Sequence, residues 1–470
     1  MTPPENLPSL SRDALLALLV ELQRHIAELR ACNVALPAEI EQLRRGAKRQ
    51  AAPFSKGTRV ANPKRPGRKP GSGPFHYREI PLPEQVTEPP VDVPVTLAAC
   101  PTCGGPLAEE RVDCAYTTDI PAVPRPHVTL SRVAVCRCTV CGQQVRGPHP
   151  DVAPDQHGAT AHRVGERAMA AAPGLHDGIG SPVRKVPLVL EALHGLPLTQ
   201  GAITQAALRR ATGEGGTAYE RLRGAVPQSP VVHTDDTGWR VGGEPAYLMA
   251  FETAEVTVYQ SRSPHRHEEV QEVIPPDYAG VMVTDRGRSY DAQAFDAVAQ
   301  QKCLAHILRS IRDVLQTKKG RARDLGTPLK QLWQEAMQLW RAEQAGEGTD
   351  FATEAQSLWD AIPYHLRPRL LTDPDTQRLL NGIGRQHDRG PLLRFLADPR
   401  VEPTNNRAER VLRPAVSARK VSQCSKNPAG AQAFAAFKSV VQTLAKQGVG
   451  SIVEGLYRLF RSTQLHAAAP

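Results

Sequence analysis

Two carboxylates stand at comparable places along this chain. Asp235 follows the apolar run VVHT, and Asp285 follows GVMVT. Each sits where an apolar segment gives way to polar, glycine-containing sequence, so each is expected at the C-terminal end of a strand. Neighbouring strand ends bring such side chains close together. Two ionised carboxylates that close repel unless a hard cation bridges them, and Mg²⁺ takes oxygen ligands while keeping water and phosphate oxygens in its shell. The pair therefore points to divalent-metal chemistry on a phosphate ester. A two-metal site needs a third acid. Glu409, in PTNNRAERVLRP, is the candidate, with Asn405 or Asn406 capping a helix and Glu409 in its first turns. Spacing alone reads Asn406-x-x-Glu409 first as a capping box, with the glutamate returning a hydrogen bond to the cap, and only second as a ligand. Asp236 should project from the opposite face of the strand.

A second constellation is made of sulfur. Cys100-Pro-Thr-Cys103 and Cys138-Thr-Val-Cys141 form two knuckles, with the strand-like HVTLSRVAV between them. Four thiolates from two such turns make a closed tetrahedral Zn²⁺ site. Buried free thiols and redox chemistry are the alternatives. Cys114 and Cys136 are additional sulfurs. Cys303-x-x-His306 offers two ligand-type residues, too few for a metal centre. It reads equally as a functional pair that buttresses the acids or contacts DNA, or as a buried cysteine beside a helix-face histidine.

These groups need a scaffold of some size, and 470 residues supply one, with a prior of roughly three domains. The formal net charge of +10 is unevenly placed. Between Arg44 and Arg78 lie eleven Lys or Arg and no Asp or Glu, which leaves 47 basic and 48 acidic residues on the rest of the chain. A cationic arm on a near-neutral body points to a polyanion, most simply nucleic acid. No apolar run approaches the ~20 residues that span a bilayer, and MTPPENLPSL lacks the features of a signal peptide, so no membrane association is expected.

The expected organisation is a multidomain α+β chain. Residues 10–46 read as a leucine-zipper-like helix: Leu15, Leu22, Leu29, Leu36 and Leu43 repeat every seven residues, interleaved with Leu19, Ile26, Asn33 and Ile40, and Pro37 interrupts them. Such a seam serves either self-association or packing on the chain's own body. Residues 47–78 are the basic arm, whose core PKRPGRKPG supplies Lys64, Arg65, Arg68 and Lys69 for DNA. Residues 97–148 are the zinc ribbon. Residues 158–226 are helical, with a turn at His194-Gly195-Leu196-Pro197 and Thr199 capping the next helix; this fits a helix-turn-helix and an ordinary helical hairpin alike. Strands fill 230–300, and helix is expected from Gln300. Residues 318–400 read as a helical insertion, and 404–461 as helix again. Around and beyond Glu409, the residues Arg407, Arg410, Arg413, Arg419 and Lys420 form a basic helix face suited to phosphates.

Taken in order, HTDDTGW, VTDRGRSYDA, CLAH and TNNRAERVLRP resemble the DDE transposases of the insertion sequence 66 family, and the similarity runs along nearly the whole chain. The resemblance implies an RNase H-like catalytic core, split into residues 230–317 and 401–465 by the helical insertion. It implies Mg²⁺ or Mn²⁺ ligands at Asp235, Asp285 and Glu409, which moves Glu409 from cap to ligand. The activity implied is cleavage at transposon ends and joining of the 3′ ends to target DNA. The partners are transposon-end and target DNA, with a homo-oligomer through the N-terminal helix, in the cytoplasm and associated with the nucleoid. The rival reading is a non-catalytic DNA-binding repressor derived from a transposase.

Overall fold

A computed structural model describes residues 11–29, 79–87, 89–108, 111–118, 125–149, 151–347, 350–366, 371 and 373–467. The chain divides into two units, residues 1–119 and 120–470. In the first unit, residues 12–29 form helix α1. The seam residues Leu19, Leu22, Ile26 and Leu29 are all exposed on it. The remainder of the heptad repeat and the basic arm lie outside the described residues. The first knuckle closes on itself: the Cys100 N–H donates to the Gly105 carbonyl, and the Gly104 N–H donates to the Cys100 carbonyl, both at 2.9 Å.

The second unit opens with strands β1 (Val135–Arg137) and β2 (Gln144–Arg146), an antiparallel pair flanking the second knuckle. Helices α2 (Glu166–Pro173), α3 (Val186–His194), α4 (Gln200–Thr212) and α5 (Glu214–Ala225) follow. Thr199 caps α4 as its position requires, its Oγ1 accepting the Ala202 N–H at 3.1 Å. The chain leaves α3 through Gly195 at φ +59°, a left-handed conformation open to glycine.

Strands β3 (Val231–Val241), β4 (Glu244–Glu252), β5 (Thr257–Arg262), β6 (Val281–Thr284) and β7 (Ala299–Lys302) form one mixed sheet in the order β5-β4-β3-β6-β7. The first three are antiparallel neighbours, whereas β6 and β7 join in parallel. The short helix α6 (His267–Gln271) lies between β5 and β6. Two sequence expectations change here. Asp235 does not end its strand, because β3 runs on to Val241, held by β4 through the Gly242-Gly243 turn. What stops near Asp235 is the parallel ladder to β6. Helix does not begin at Gln300 either, since β7 occupies Ala299–Lys302 and helix α7 (Leu304–Thr317) starts after it. The sequence AQQK shows no apolar alternation. It is a strand because β6 offers it a parallel edge and because Gln301 Nε2 donates to the Leu392 carbonyl at 3.0 Å.

Helices α8 (Arg321–Asp324), α9 (Gly326–Ala345), α10 (Phe351–Leu366), α11 (Pro374–Asp388) and α12 (Arg394–Ala397) occupy the stretch expected to be a helical insertion. Trp333 is fully buried there with Leu329, Ile362 and Ile383, and this core continues into Val281 and Val283 of β6. Three helices close the unit: α13 (Asn406–Ser422), α14 (Pro428–Lys446) and α15 (Ile452–Ala467). Alternation along β4 divides the sheet's two faces. Leu248 and Ala250 pack with Leu412 and Ala415 of α13. Met249 and Phe251 pack with Tyr219 of α5 and Val270 of α6. The sheet thus presses α13 against β3 and carries Glu409 toward the two aspartates. Among the described residues, no helix is long and apolar enough to cross a membrane.

Candidate active site

Parallel pairing sets Val231 against Val281, Val232 against Met282 and His233 against Val283. The ladder ends there, with Asp235 two residues beyond His233 inside β3 and Asp285 two residues beyond Val283, just past the end of β6. Each carboxylate is held by a local backbone donor. Asp235 Oδ1 accepts the Asp236 N–H at 2.9 Å, and Asp285 Oδ1 accepts the Gly287 N–H at 2.7 Å. A Cβ on residue 287 would lie 2.8 Å from that same Asp285 oxygen, so a side chain there would displace the carboxylate.

Glu409 arrives on the first turns of α13. The N-cap is Asn405, and its side chain makes no capping bond. Its Nδ2 instead donates to the Thr234 carbonyl at 2.7 Å, one residue before Asp235. Because the N-cap is Asn405 and Asn406 is already the first helical residue, the Asn406–Glu409 capping box is not formed, and Glu409 Oε1 faces His306 Nε2 at 3.8 Å.

The three acids share one electrostatic field. Asp235 is pushed up to about 7, first by burial and then by the charges of Asp285, Asp236 and Glu409, against the pull of the Asp236 N–H. Positive charge approaches from below: the buried Lys302 places Nζ 3.0 Å from Thr284 Oγ1 and 2.7 Å from Asp291 Oδ1. Burial lowers its pKa, which Asp291 and Asp285 oppose. Asp236 pairs through Oδ2 with His265 Nε2 at 2.8 Å, and the His265 ring stacks on Tyr247. Sequence reasoning missed both Lys302 and His265. Neither carries a local signal, because each reaches the site from a different element.

Cys303 and His306 flank the same corner. Cys303 is fully buried and its Sγ accepts the Asn405 N–H at 3.1 Å, while His306 faces Glu409. The cysteine is thus buried and the histidine lies on a helix beside Glu409, an arrangement that both readings of the pair share. The basic face of α13 divides. Arg410, Arg413 and Lys420 are exposed. Arg407 pairs with Glu402 at 3.6 Å, and Arg419 donates to the Gly238 carbonyl and, at 3.2 Å, to Thr237 Oγ1. Lys64, Arg65, Arg68 and Lys69 lie outside the described residues.

The donor chemistry of the three acids suits a hard divalent cation: oxygen only, mutually repelling, and partly withdrawn from water. Among the described residues, no three His, Cys, Asp or Glu side chains are grouped closely enough to hold a metal ion. The fit accordingly rests on donor type and shared field. The two knuckles each make the same turn. The Cys138 N–H donates to the Gln143 carbonyl at 2.8 Å and the Gly142 N–H to the Cys138 carbonyl at 3.0 Å, repeating the pattern at Cys100. Backbone hydrogen bonds from Cys103 and Thr102 hold the Cys100 thiol below its ordinary value, and those from Cys141 and Val140 do the same for Cys138. Thiolate-favouring turns of this kind are what a zinc knuckle needs.

The family model described as Transposase IS66 family matches residues 175–433, more than half of the chain and a span that contains all three acids. No curated protein matches the chain.

Proposed function

The chain belongs to the transposase IS66 family, and from that premise we propose that it cleaves phosphodiesters at transposon ends and joins the 3′ ends to target DNA, with Asp235, Asp285 and Glu409 as the acids of its active site. One observation carries the reading. Two aspartates each follow by two residues the last pair of adjacent parallel strands, and the charges of Asp285 and of a glutamate on a third element both act on Asp235, although some 175 positions separate the first acid from the last. The strand order, three antiparallel strands extended by two parallel ones, supports an RNase H-like core. The helices from α8 to α12 are then an insertion between the second aspartate and the glutamate.

The three carboxylates would hold Mg²⁺ or Mn²⁺. Bound there, the metal would supply Lewis-acid polarisation of the scissile phosphate and lower the pKa of the attacking hydroxyl. The chain's own groups do the positioning. The Asp236 and Gly287 N–H groups fix one oxygen each of Asp235 and Asp285, leaving the other oxygen of each for the ligand. Lys302, paired with Asp291, adds positive charge that Asp285 feels.

DNA is gripped elsewhere. Arg410, Arg413 and Lys420 present exposed cations on the helix that bears Glu409, within reach of the backbone of a strand laid over the acids. Lys64, Arg65, Arg68 and Lys69 of the arm would follow the end sequence, and Arg419 serves chiefly to clamp α13 to β3. The knuckles would share one structural Zn²⁺ through Cys100, Cys103, Cys138 and Cys141. The exposed seam of α1 would be covered by a second copy.

The test is a strand-transfer reaction on oligonucleotides carrying the transposon ends, with Mg²⁺ or Mn²⁺. Joined products from the parent chain that vanish in Asp235→Asn, Asp285→Asn and Glu409→Gln support the reading. End binding without any cleavage by the parent chain would leave a DNA-binding repressor instead.

A further inference from the structure

We propose that Asn405 and Cys303 are positioning residues that together set the spacing of the three acids; this rests on the active-site reading above. Four bonds form a continuous path. Asn405 Nδ2 donates to the Thr234 carbonyl, the residue before Asp235. The Asn405 N–H donates to Cys303 Sγ. The Cys303 N–H donates at 2.8 Å to the Thr284 carbonyl, the residue before Asp285. The Glu409 N–H donates at 3.2 Å to the Asn405 carbonyl, which starts the helical turn that carries the third acid. One asparagine and one cysteine thus touch the residue preceding each aspartate and the turn preceding the glutamate.

The choice of residue types follows from the bonds required. Asn405, Cys303 and Thr234 are each fully buried. A buried carbonyl such as that of Thr234 needs a donor, and a neutral amide supplies one without adding charge beside three acids. Aspartate would set a carboxylate against that carbonyl. At residue 303 the requirement is an acceptor small enough to sit under the first turn of α13, which the sulfur meets. A second tie runs alongside, from the Leu304 N–H to the Pro403 carbonyl at 2.9 Å, so the start of α7 and the approach to α13 are joined twice. His306 then projects from the same turn of α7 toward Glu409. Groups that orient ligands from behind commonly change metal affinity by about 10–100-fold when removed.

The experiment measures Mn²⁺ binding to the full chain without DNA by electron paramagnetic resonance, and joining activity against Mn²⁺ concentration. Asn405→Ala should weaken Mn²⁺ binding by about tenfold or more. Its joining rate should recover at saturating Mn²⁺, and end-DNA binding should be kept. Cys303→Ser keeps an acceptor and should retain most of the affinity that Cys303→Ala loses. Parental Mn²⁺ affinity in Asn405→Ala, or equal affinities in Cys303→Ser and Cys303→Ala, would overturn the proposal. So would a rate that stays low at every Mn²⁺ concentration with binding unchanged. If Asn405→Ala does not fold, the two Cys303 variants decide alone. Asp235→Asn separates the two readings: if it binds Mn²⁺ and joins DNA like the parent, the active-site reading fails, whereas its loss beside an unaffected Asn405→Ala removes only the positioning role.

Discussion

Asp235 and Asp285 each lie two residues beyond His233 and Val283, the last pair in the parallel ladder between β3 and β6. Asp235 is held within β3, whereas Asp285 lies just past the end of β6, where the turn to Gly287 holds its carboxylate. Glu409 joins them from a helix packed on the same strand.

Removing one carboxylate of a set that acts together should remove the chemistry and spare the grip on DNA. Asp235→Asn, Asp285→Asn and Glu409→Gln are each expected to lower single-turnover cleavage by about 10³-fold or more, a barrier increase of roughly 4 kcal/mol. Gel-shift affinity for transposon ends should stay near that of the parent. A variant that cleaves normally loses its place in the site.

Protons and metal compete for Asp235, whose pKa is pushed up to about 7. The carboxylate must be ionised to act as a ligand. Apparent Mn²⁺ affinity should therefore rise by up to about tenfold per pH unit below pH 7 and flatten above it. Titrations at pH 6, 7 and 8 check this, and a flat profile would count against Asp235 as the group that binds.

A second buried acid gives a stability test away from the site. Asp177 lies beside a cavity of about 130 Å³ between α4 and α14, and its Oδ1 has no hydrogen-bond partner. Burial raises it to about 6, with His176 and Lys438 pulling the other way. An acid raised in the folded state contributes most stability below its unfolded value near 4, and that contribution is lost as pH rises through about 6. Asp177→Asn should thus stabilise the protein by roughly 1–3 kcal/mol at pH 8 and by little at pH 4.5. Urea unfolding at the two pH values measures the difference; an equal effect at both would exclude ionisation as the cause.

If the knuckles share zinc, purified protein should carry about one Zn²⁺ per chain. Cys100→Ser or Cys138→Ser should lose it and lower the thermal midpoint of the ribbon segment. Metal analysis by mass spectrometry reads the stoichiometry directly. Full zinc content in both variants would refute the shared site.

Deleting residues 44–78 removes eleven cations. End-DNA affinity should fall, and the slope of log affinity against log salt should flatten by about 0.9 for each phosphate that is no longer neutralised. Binding measured across a salt series decides the point, and an unaltered slope would take the arm out of the interface.

The sequence by itself offered the candidate acids, the cysteine knuckles, the basic arm and the family resemblance, because each of these is marked by its immediate neighbours in the chain. Apolar runs located four of the five strands of the main sheet, and Thr199 marked the start of α4. What it could not determine depended on partners distant in sequence. Strand β7 is polar and exists because β6 offers it an edge, while β3 outlasts VVHT because β4 pairs with its polar half. The reading of Glu409 turned on the same kind of fact. Spacing placed a capping asparagine, Asn406, three residues ahead of it, but the helix is capped one residue earlier at Asn405, which gives its amide to Thr234, 171 positions away. Hydrogen-bond donors are few and each is spent once, so only the folded chain decides which partner receives them.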